Sequence, residues 1–260
     1  MQLGGLAPSR LSAATANGRN MKPYVICHMN ASVDGRILGS RWRPAENRMP
    51  GLFERLHEQL GGGSWLIGRV TASEYARAEA YPDRTDQTYP REPWFAQRFA
   101  PSGPKAGDAA AYGIALDAQG KIAWGRSDIG GDPIVVVLTQ RVSDAHLAGL
   151  RQDGVSYIFA GAQELDLGLA LEILNRELRL ERLLLEGGGG SNGAFLRAGL
   201  IDEISLAICP AVDGAKGAPS IFDSSDKDAG IAAPIRSMTL ASTEVLEGGV
   251  VWLRYRLQNR

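Results

Sequence analysis

Four consecutive glycines, Gly187, Gly188, Gly189 and Gly190, constrain this chain more than any other feature. Each glycine loses more backbone freedom on folding than any other residue, so such a run is costly unless bare main chain is needed. Residues 182–186 are a short apolar segment bounded by charge and by glycine, the pattern of a buried strand. Residues 191–199 read as a short helix, with Ser191 or Asn192 able to cap its start and Gly199 able to end it in a left-handed turn. Residues 204–209 are a second apolar strand, stopped by Pro210. Strand, glycine turn and helix start together present free N–H groups and a positive dipole end, which suits a phosphate. The alternative is a tight strand-to-helix turn with no ligand. Residues 188–193 satisfy G-x-G-x-x-G, but no strand-tip acid follows, since Asp213 comes after Pro210 in a loop. No Gly-Lys-Ser/Thr follows, so this is not a P-loop.

The rest of the chain alternates strand and helix. Residues 24–29 read as a strand that runs on to an Asp34-Gly35 turn, and residues 49–60 have helical spacing at Leu52, Phe53, Leu56 and Leu60. A strand over 64–67 leads through Gly68-Arg69-Val70-Thr71 into a helix from 72 to about 78, which Thr71 could cap. Strands follow at 113–116, 134–138 and 155–159, with helices at 143–150 and 167–178. The last two strands, 238–246 and 250–257, flank a Glu247-Gly248-Gly249 hairpin turn. This order predicts an α/β fold, a mostly parallel doubly wound sheet with an antiparallel C-terminal hairpin. Ligands of such sheets bind beyond the carboxyl ends of the strands, where Ser32, Gly68, Thr139, Gly161 and Glu186 lie. Residues 79–110 are rich in proline and aromatics and read as a lid, a binding loop or a dimer contact. Residues 1–20 are polar and aperiodic, a disordered extension ahead of one domain over 21–260.

Composition excludes several classes of function. A net charge of −1 gives no electrostatic reason to expect nucleic acid or an anionic membrane as partner. No apolar run approaches the ~20 residues of a membrane span. Cys27 and Cys209 both lie in apolar strand-like runs, as buried free thiols of a reducing cytoplasm would. His28, His57 and His146 form no metal-ligand motif, so no metal is expected. His28 reads as a core histidine and His57, beside Glu58, as a solvent-facing one.

Four pieces in order resemble the dihydrofolate reductase superfamily, and most closely the reductase half of the bifunctional riboflavin-biosynthesis deaminase-reductase. They are Ala31-Ser32-Val33-Asp34-Gly35-Arg36, Gly68-Arg69-Val70-Thr71, residues 183–190 (LLLEGGGG), and Leu200-Ile201-Asp202-Glu203-Ile204 with Cys209-Pro210. The resemblance spans residues 24–260 and implies a dihydrofolate reductase-like fold and a homodimeric NADPH-dependent reductase. It places Asn30, Gly68, Arg69 and Thr71 on the cofactor, with Arg69 at a phosphate and Thr71 at the diphosphate. Thr139 and Arg141 would hold the adenosine 2′-phosphate. Gly188, Gly189, Gly190, Ser191, Asn192 and Gly193 would pass under the diphosphate and nicotinamide ribose. Ser32, Asp34 and Glu186 would face the substrate, and Trp42 would cover the nicotinamide. The zinc-deaminase signature is absent, so only reduction is implied. Tyr75 stands where these reductases commonly carry an aspartate.

Physical chemistry adds its own reading of these residues. Hydride transfer is the cofactor's chemistry and needs only binding, orientation and electrostatics from the protein. Arg69 suits a phosphate because a guanidinium fork matches its geometry. Glu186, after three leucines, would be partly desolvated and suited to hydrogen-bond or protonate a substrate nitrogen; alternatively it caps the N–H groups of its own turn. Asp34 reads as the holder of its own turn. Arg41, Arg43 or Arg48 could receive a substrate phosphate. A carboxylate such as Glu54, if it faced the pocket, would favour a dihydrofolate or other small imine reductase. A nucleotide-binding protein without turnover is the alternative of another class.

Overall fold

The computed structural model of the chain describes residues 22–96, 111–228 and 230–259, the side chain of Arg48 excepted. The extension expected over residues 1–20 and the end of the 79–110 loop lie outside the described residues. The elements are β1 (Tyr24–Ser32), α1 (Leu52–Gln59), β2 (Trp65–Gly68), α2 (Arg69–Ser73), β3 (Gly113–Leu116), β4 (Asp128–Ile129) and β5 (Asp132–Leu138). Then come α3 (Asp144–Asp153), β6 (Ser156–Phe159), α4 (Leu167–Leu178), β7 (Arg182–Leu185), α5 (Gly189–Arg197), β8 (Glu203–Cys209), β9 (Ile235–Val245) and β10 (Val251–Asn259). The sequence pattern missed β4, whose two residues are too few to show a period.

The strands form one ten-stranded sheet in the order β4-β5-β3-β2-β7-β1-β8-β10-β9, with β6 also on β5. Neighbours from β6 through β8 pair parallel, while β10 is antiparallel to β8 and β9 to β10. The expected architecture, with its C-terminal hairpin, is therefore present. Central strands are apolar on both faces because helices cover both. On β1, Val25, Cys27 and Met29 join Leu171, Leu174 and Phe195 of α4 and α5. Ile26 lies on the opposite face with Leu52 and Leu56 of α1 and with Trp42 and Trp252. Both cysteines are buried and unpaired.

The described part of the proline-rich loop is a brace on the β6 edge. Trp94 and Tyr157 exchange main-chain hydrogen bonds of 2.9 Å. The Arg151 guanidinium lies 4.4 Å from the ring centre of Tyr89 and 4.8 Å from that of Trp94, a cation–π stack. Arg91 pairs with Asp144 at 2.6 Å.

A buried chain of hydrogen bonds fixes α1 on the sheet. Trp252 Nε1 donates to Ser205 Oγ at 2.9 Å, Ser205 lies 3.2 Å from His28 Nδ1, and His28 Nε2 lies 3.3 Å from the Phe53 carbonyl. A carbonyl only accepts, so Nε2 carries the proton, Nδ1 accepts, and the Ser205 hydroxyl donates to it. His28 is thus a neutral core histidine, as expected from the sequence. Burial pulls its pKa down from 6.5 to about 4. A depressed pKa means stability that is whole above 6.5 and lost as the pH falls toward 4. Urea unfolding of the wild type should lose about 3 kcal/mol to this group over that window. His28→Gln should be less stable at neutral pH and show a flatter acid limb; an unchanged limb would show that His28 is not buried neutral.

Candidate functional site

Pairing of β2 with β7 brings two helix starts together. Gly68 is the N-cap of α2 and Gly188 that of α5, and neither helix has a side-chain cap. Thr71, Ser191 and Asn192 lie inside their helices rather than capping them; the Ser191 hydroxyl instead donates back to the carbonyls of Gly187 and Gly188. The Gly68 amide donates to the Gly187 carbonyl at 3.0 Å. A Cβ on Gly68 would collide with Ser191, and one on Gly187 would meet Ile67 at 3.2 Å and Thr71 at 3.5 Å. First-turn N–H groups have no acceptor within their own helix, so two adjacent starts make a positive, donor-rich spot.

The glycines of the run divide the work. Gly188 takes a φ of +49, and Gly190 is exposed, with nothing within 4 Å of where its Cβ would be. Those two leave main chain open to a ligand. A Cβ on Gly189 would strike the carbonyl oxygen of Ser220, and one on Gly193 that of Asp223. These two glycines admit the protein's own 220–223 loop against α5. Asn192 is fully buried, with Nδ2 on the Ile221 carbonyl at 3.0 Å, and secures the same loop.

Beyond the helix starts lies a cavity of about 290 Å³ lined by Arg69, Leu116, Ala118, Gln119, Lys121 and Leu165. Thr139 is buried and its hydroxyl donates to the Ala118 carbonyl at 2.6 Å, so it supports this wall from behind. Arg141 is exposed outside the lining. The cations that line it are Arg69 and Lys121. Lys121 is held in place through its amide, which donates to the buried Asp117 carboxylate at 2.6 Å. Nothing in the sequence marks a lysine just past a turn as special.

On the other side of the helix starts a groove of about 280 Å³ runs between α1 and α2. It is lined by Phe53, Glu54, His57 and Glu58 of α1, by Trp65, Ile67, Thr71 and Tyr75, by Ile129, Gly130 and Asp132, and by Glu186 at the tip of β7. His57 Nδ1 lies 2.7 Å from Glu186 Oε1. The sequence reading of His57 as solvent-facing is therefore corrected. Leu52, Leu56 and Leu60 take α1's core stripe, and Phe53 and His57, four apart, form the neighbouring stripe over the groove. Burial raises the Glu186 pKa, and the hydrogen bond that His57 donates to Glu186 raises that of His57. Glu186 is bound to a side chain across the groove rather than to its own turn.

The residues after β1 stand elsewhere. Ser32 is buried and donates to Asp34 at 2.6 Å, and Asp34 also accepts from the amides of Asp213 at 3.1 Å and Gly214 at 2.8 Å. Those bonds, the one from Ser32 foremost, pull the Asp34 pKa down to about 2. Ser32 and Asp34 are a clamp between two loops, not lining of the groove. Trp42 is 4% exposed within the core cluster under α1, so its ring is not free to cover a ligand. Asn30 lies on β1 with its Oδ1 buried and unpartnered among the described residues. The Arg48 side chain lies outside what is described.

A family model described as the RibD C-terminal domain matches residues 23–252, and the chain belongs to that family. Two relatives, from Methanothermobacter thermautotrophicus and Aquifex aeolicus, are both called 2,5-diamino-6-ribosylamino-4(3H)-pyrimidinone 5′-phosphate reductase. The first is 34% identical over 91 residues, 35% of this chain and 41% of that protein; the second is 28% identical over 89 residues, 34% and 39%. The chain thus spans about two fifths of the relatives it matches. Among solved structures, a pyrimidine reductase-like protein from Corynebacterium diphtheriae has a TM-score of 0.63 at 17% identity, over 92% of this chain and 93% of that one. Acinetobacter baumannii RibD has a TM-score of 0.55 at 18% identity, over 92% and 59%. The Saccharomyces cerevisiae riboflavin biosynthesis reductase Rib7 has 0.54 at 15%, over 94% and 93%. The shared fold is that of the dihydrofolate reductase-like RibD reductases.

Two measurements check this geometry. NMR titration of the three histidines should give one imidazole above its ordinary 6.5 and two below it, His28 and His146. Glu186→Gln should bring the high one, His57, back down; an unmoved resonance would mean the pair is not formed. Separately, Gly193→Ala should cost about 1–3 kcal/mol of stability through overpacking, while Gly190→Ala leaves the melting curve close to that of the wild type. Equal melting curves for the two variants would overturn the division of work within the glycine run.

Proposed function

We propose that this chain is an NADPH-dependent reductase of a pyrimidine- or pteridine-like heterocycle, of the ribosylaminopyrimidine type used in riboflavin biosynthesis. The observation that carries the reading is the joint at Thr71 and Glu186. Thr71 stands beside Gly187 and Gly188 at the uncapped helix starts and also lines the groove, in which Glu186 sits. A dinucleotide held at the helix starts therefore has a substrate groove at its reactive end.

When bound, the nicotinamide supplies the hydride. The residues fit such a group: Gly188 and Gly190 expose main chain to its diphosphate, and Arg69 and Lys121 offer cations to the phosphate that distinguishes NADPH from NADH. Glu186 would hydrogen-bond the reacting nitrogen, and His57 would hold a proton at Nδ1 beside it. The aromatic and aliphatic walls, Phe53, Trp65, Ile67 and Tyr75, would exclude water from the ring. Glu54 lines the groove, and that favours a second reading, a small imine reductase sharing the same cofactor half. Two buried free thiols support a reducing compartment, the cytoplasm. Met238 and Leu240, exposed on the edge strand β9, support a homodimer.

Titration with each nucleotide, read by nicotinamide fluorescence, tests the assignment. NADPH should bind more tightly than NADH. Arg69→Ala and Lys121→Ala should each weaken NADPH about tenfold, the loss of one charge-assisted contact, and leave NADH unchanged. Failure of the wild type to bind either nucleotide removes the enzyme reading, and binding without oxidation across pyrimidine and pterin substrates favours a protein without turnover.

A further inference from the structure

The groove joins a buried acid to an imidazole nearer to water. Glu186 stands one residue before Gly187, whose carbonyl accepts the Gly68 amide where the two helix starts meet. The Glu186 amide donates to the Leu66 carbonyl at 2.8 Å, so the ladder between β2 and β7 holds its backbone. Its carboxylate accepts from His57 Nδ1 at 2.7 Å across the groove. The His57 side chain is 16% exposed and that of Glu186 9%, so the imidazole is the member that reaches solvent. Among the described residues, several titratable groups line the same space as the pair. Glu54 and Glu58 lie on α1 with His57, Asp132 opens β5, and Tyr75 follows α2. His28, on β1 beneath α1, is neutral. Asp132 is held in place by Trp65 Nε1, which donates to it at 2.8 Å. Carboxylates around an imidazole favour its charged form. The bond to Glu186 foremost, then the charges of Glu186, Glu58 and Asp132, hold the His57 pKa above its ordinary value against the opposing effect of burial.

We propose that His57 and Glu186 form a proton relay, in which His57 is the source and Glu186 the carrier of the proton that the reduction consumes, a proposal that rests on the reductase reading above. The Nδ1 proton passes to Oε1 of Glu186, leaving a neutral imidazole and a neutral acid. The 2.7 Å separation gives it little distance to travel, and burial disfavours the charged pair, which eases this first move. The hydride then brings its electron pair to the carbon of the substrate C=N bond, and a C–H bond forms. The displaced π pair takes the proton of the Glu186 carboxyl, an N–H bond forms, and the carboxylate is restored. Water returns a proton to His57 once product leaves the groove. Each turnover consumes one hydride and one proton and leaves the nicotinamide oxidised. Glu186 touches the substrate in this scheme, whereas His57 acts through it and Asp132 positions the charge on His57.

The pH dependence of kcat tests the relay on the full chain, with NADPH and 2,5-diamino-6-ribosylamino-4(3H)-pyrimidinone 5′-phosphate as substrates. A raised pKa keeps the proton in place to higher pH. Wild-type kcat should therefore fall only along a limb above 6.5, the ordinary imidazole value, by about tenfold per unit of pH. H57Q leaves Glu186 to hold the proton alone. Its limb should move to lower pH and its kcat on the alkaline side should fall about a hundredfold, while NADPH affinity, read by nicotinamide fluorescence, stays that of the wild type. D132N keeps an oxygen for the Trp65 bond and removes one charge, so it should move the limb the same way by a smaller step. A limb unmoved in H57Q overturns the relay; where H57Q does not fold, a limb unmoved in D132N does so. Either result beside normal wild-type turnover leaves the reductase reading standing. A wild type that oxidises no NADPH removes the reductase reading and the relay together.

Discussion

The parallel pairing of β2 with β7 is the constraint from which the site follows. Trp65 faces Leu184 and Leu66 faces Leu185 in that register, so the end of β2 at Gly68 meets Gly187, two residues past the end of β7. Each chain then turns straight into a helix, and the two helix starts compete for one place. Glycine at 68 lets them share it, because a side chain there would collide with Ser191, and a Cβ on Gly187 would press tightly on Ile67. A shift of one residue would move Glu186 to the other face of the sheet and out of the groove. The strand pairing thus sets both the anion-friendly spot and the acid beside it.

The loop after β1 shows where this chain has spent its polar residues differently from a reader's expectation. Ser32, Asp34 and the amides of residues 213–214 are tied to one another, and Arg36 and Arg41 reinforce the same junction. A loop fastened at so many points holds Arg36, Arg41 and Arg43 against its own carbonyls and carboxylates. Among the described residues, the charge at the groove comes from α1, β5 and the β7 tip, and these supply acid and one histidine. The buried relay from Trp252 through Ser205 and His28 to the Phe53 carbonyl explains how α1 can carry that duty. It fixes the helix at the residue that begins the groove-facing stripe.

Elements with several apolar positions in period were readable from the sequence, which is why β3 and α4 were placed to the residue and the sheet order was foreseeable in outline. Residue roles that depend on what lies opposite were not. Nothing local distinguishes Gly190, which faces open space, from Gly189, which faces the Ser220 carbonyl thirty-one positions on. His57 looked solvent-facing because the partner that claims it is 129 residues away. The resemblance puts Trp42 over the nicotinamide, yet a large apolar ring gains more by joining Leu52 and Leu56 beneath α1 than by staying at a surface. Glu186 was legible because strand periodicity and the glycine run that follows it both point to the same tip.

The two spaces beside the helix starts differ in charge, and in the reductase reading that difference would orient a dinucleotide. Arg69 and Lys121 lie at one end, the two helix starts in the middle, and Glu186 with Asp132 and Glu54 at the other. A dinucleotide with a phosphate on its adenosine end has the matching polarity in only one orientation. Reversed, it would set that phosphate among carboxylates and leave two cations unmatched. In that reading a few charged groups in two neighbouring spaces suffice to favour one orientation over the other.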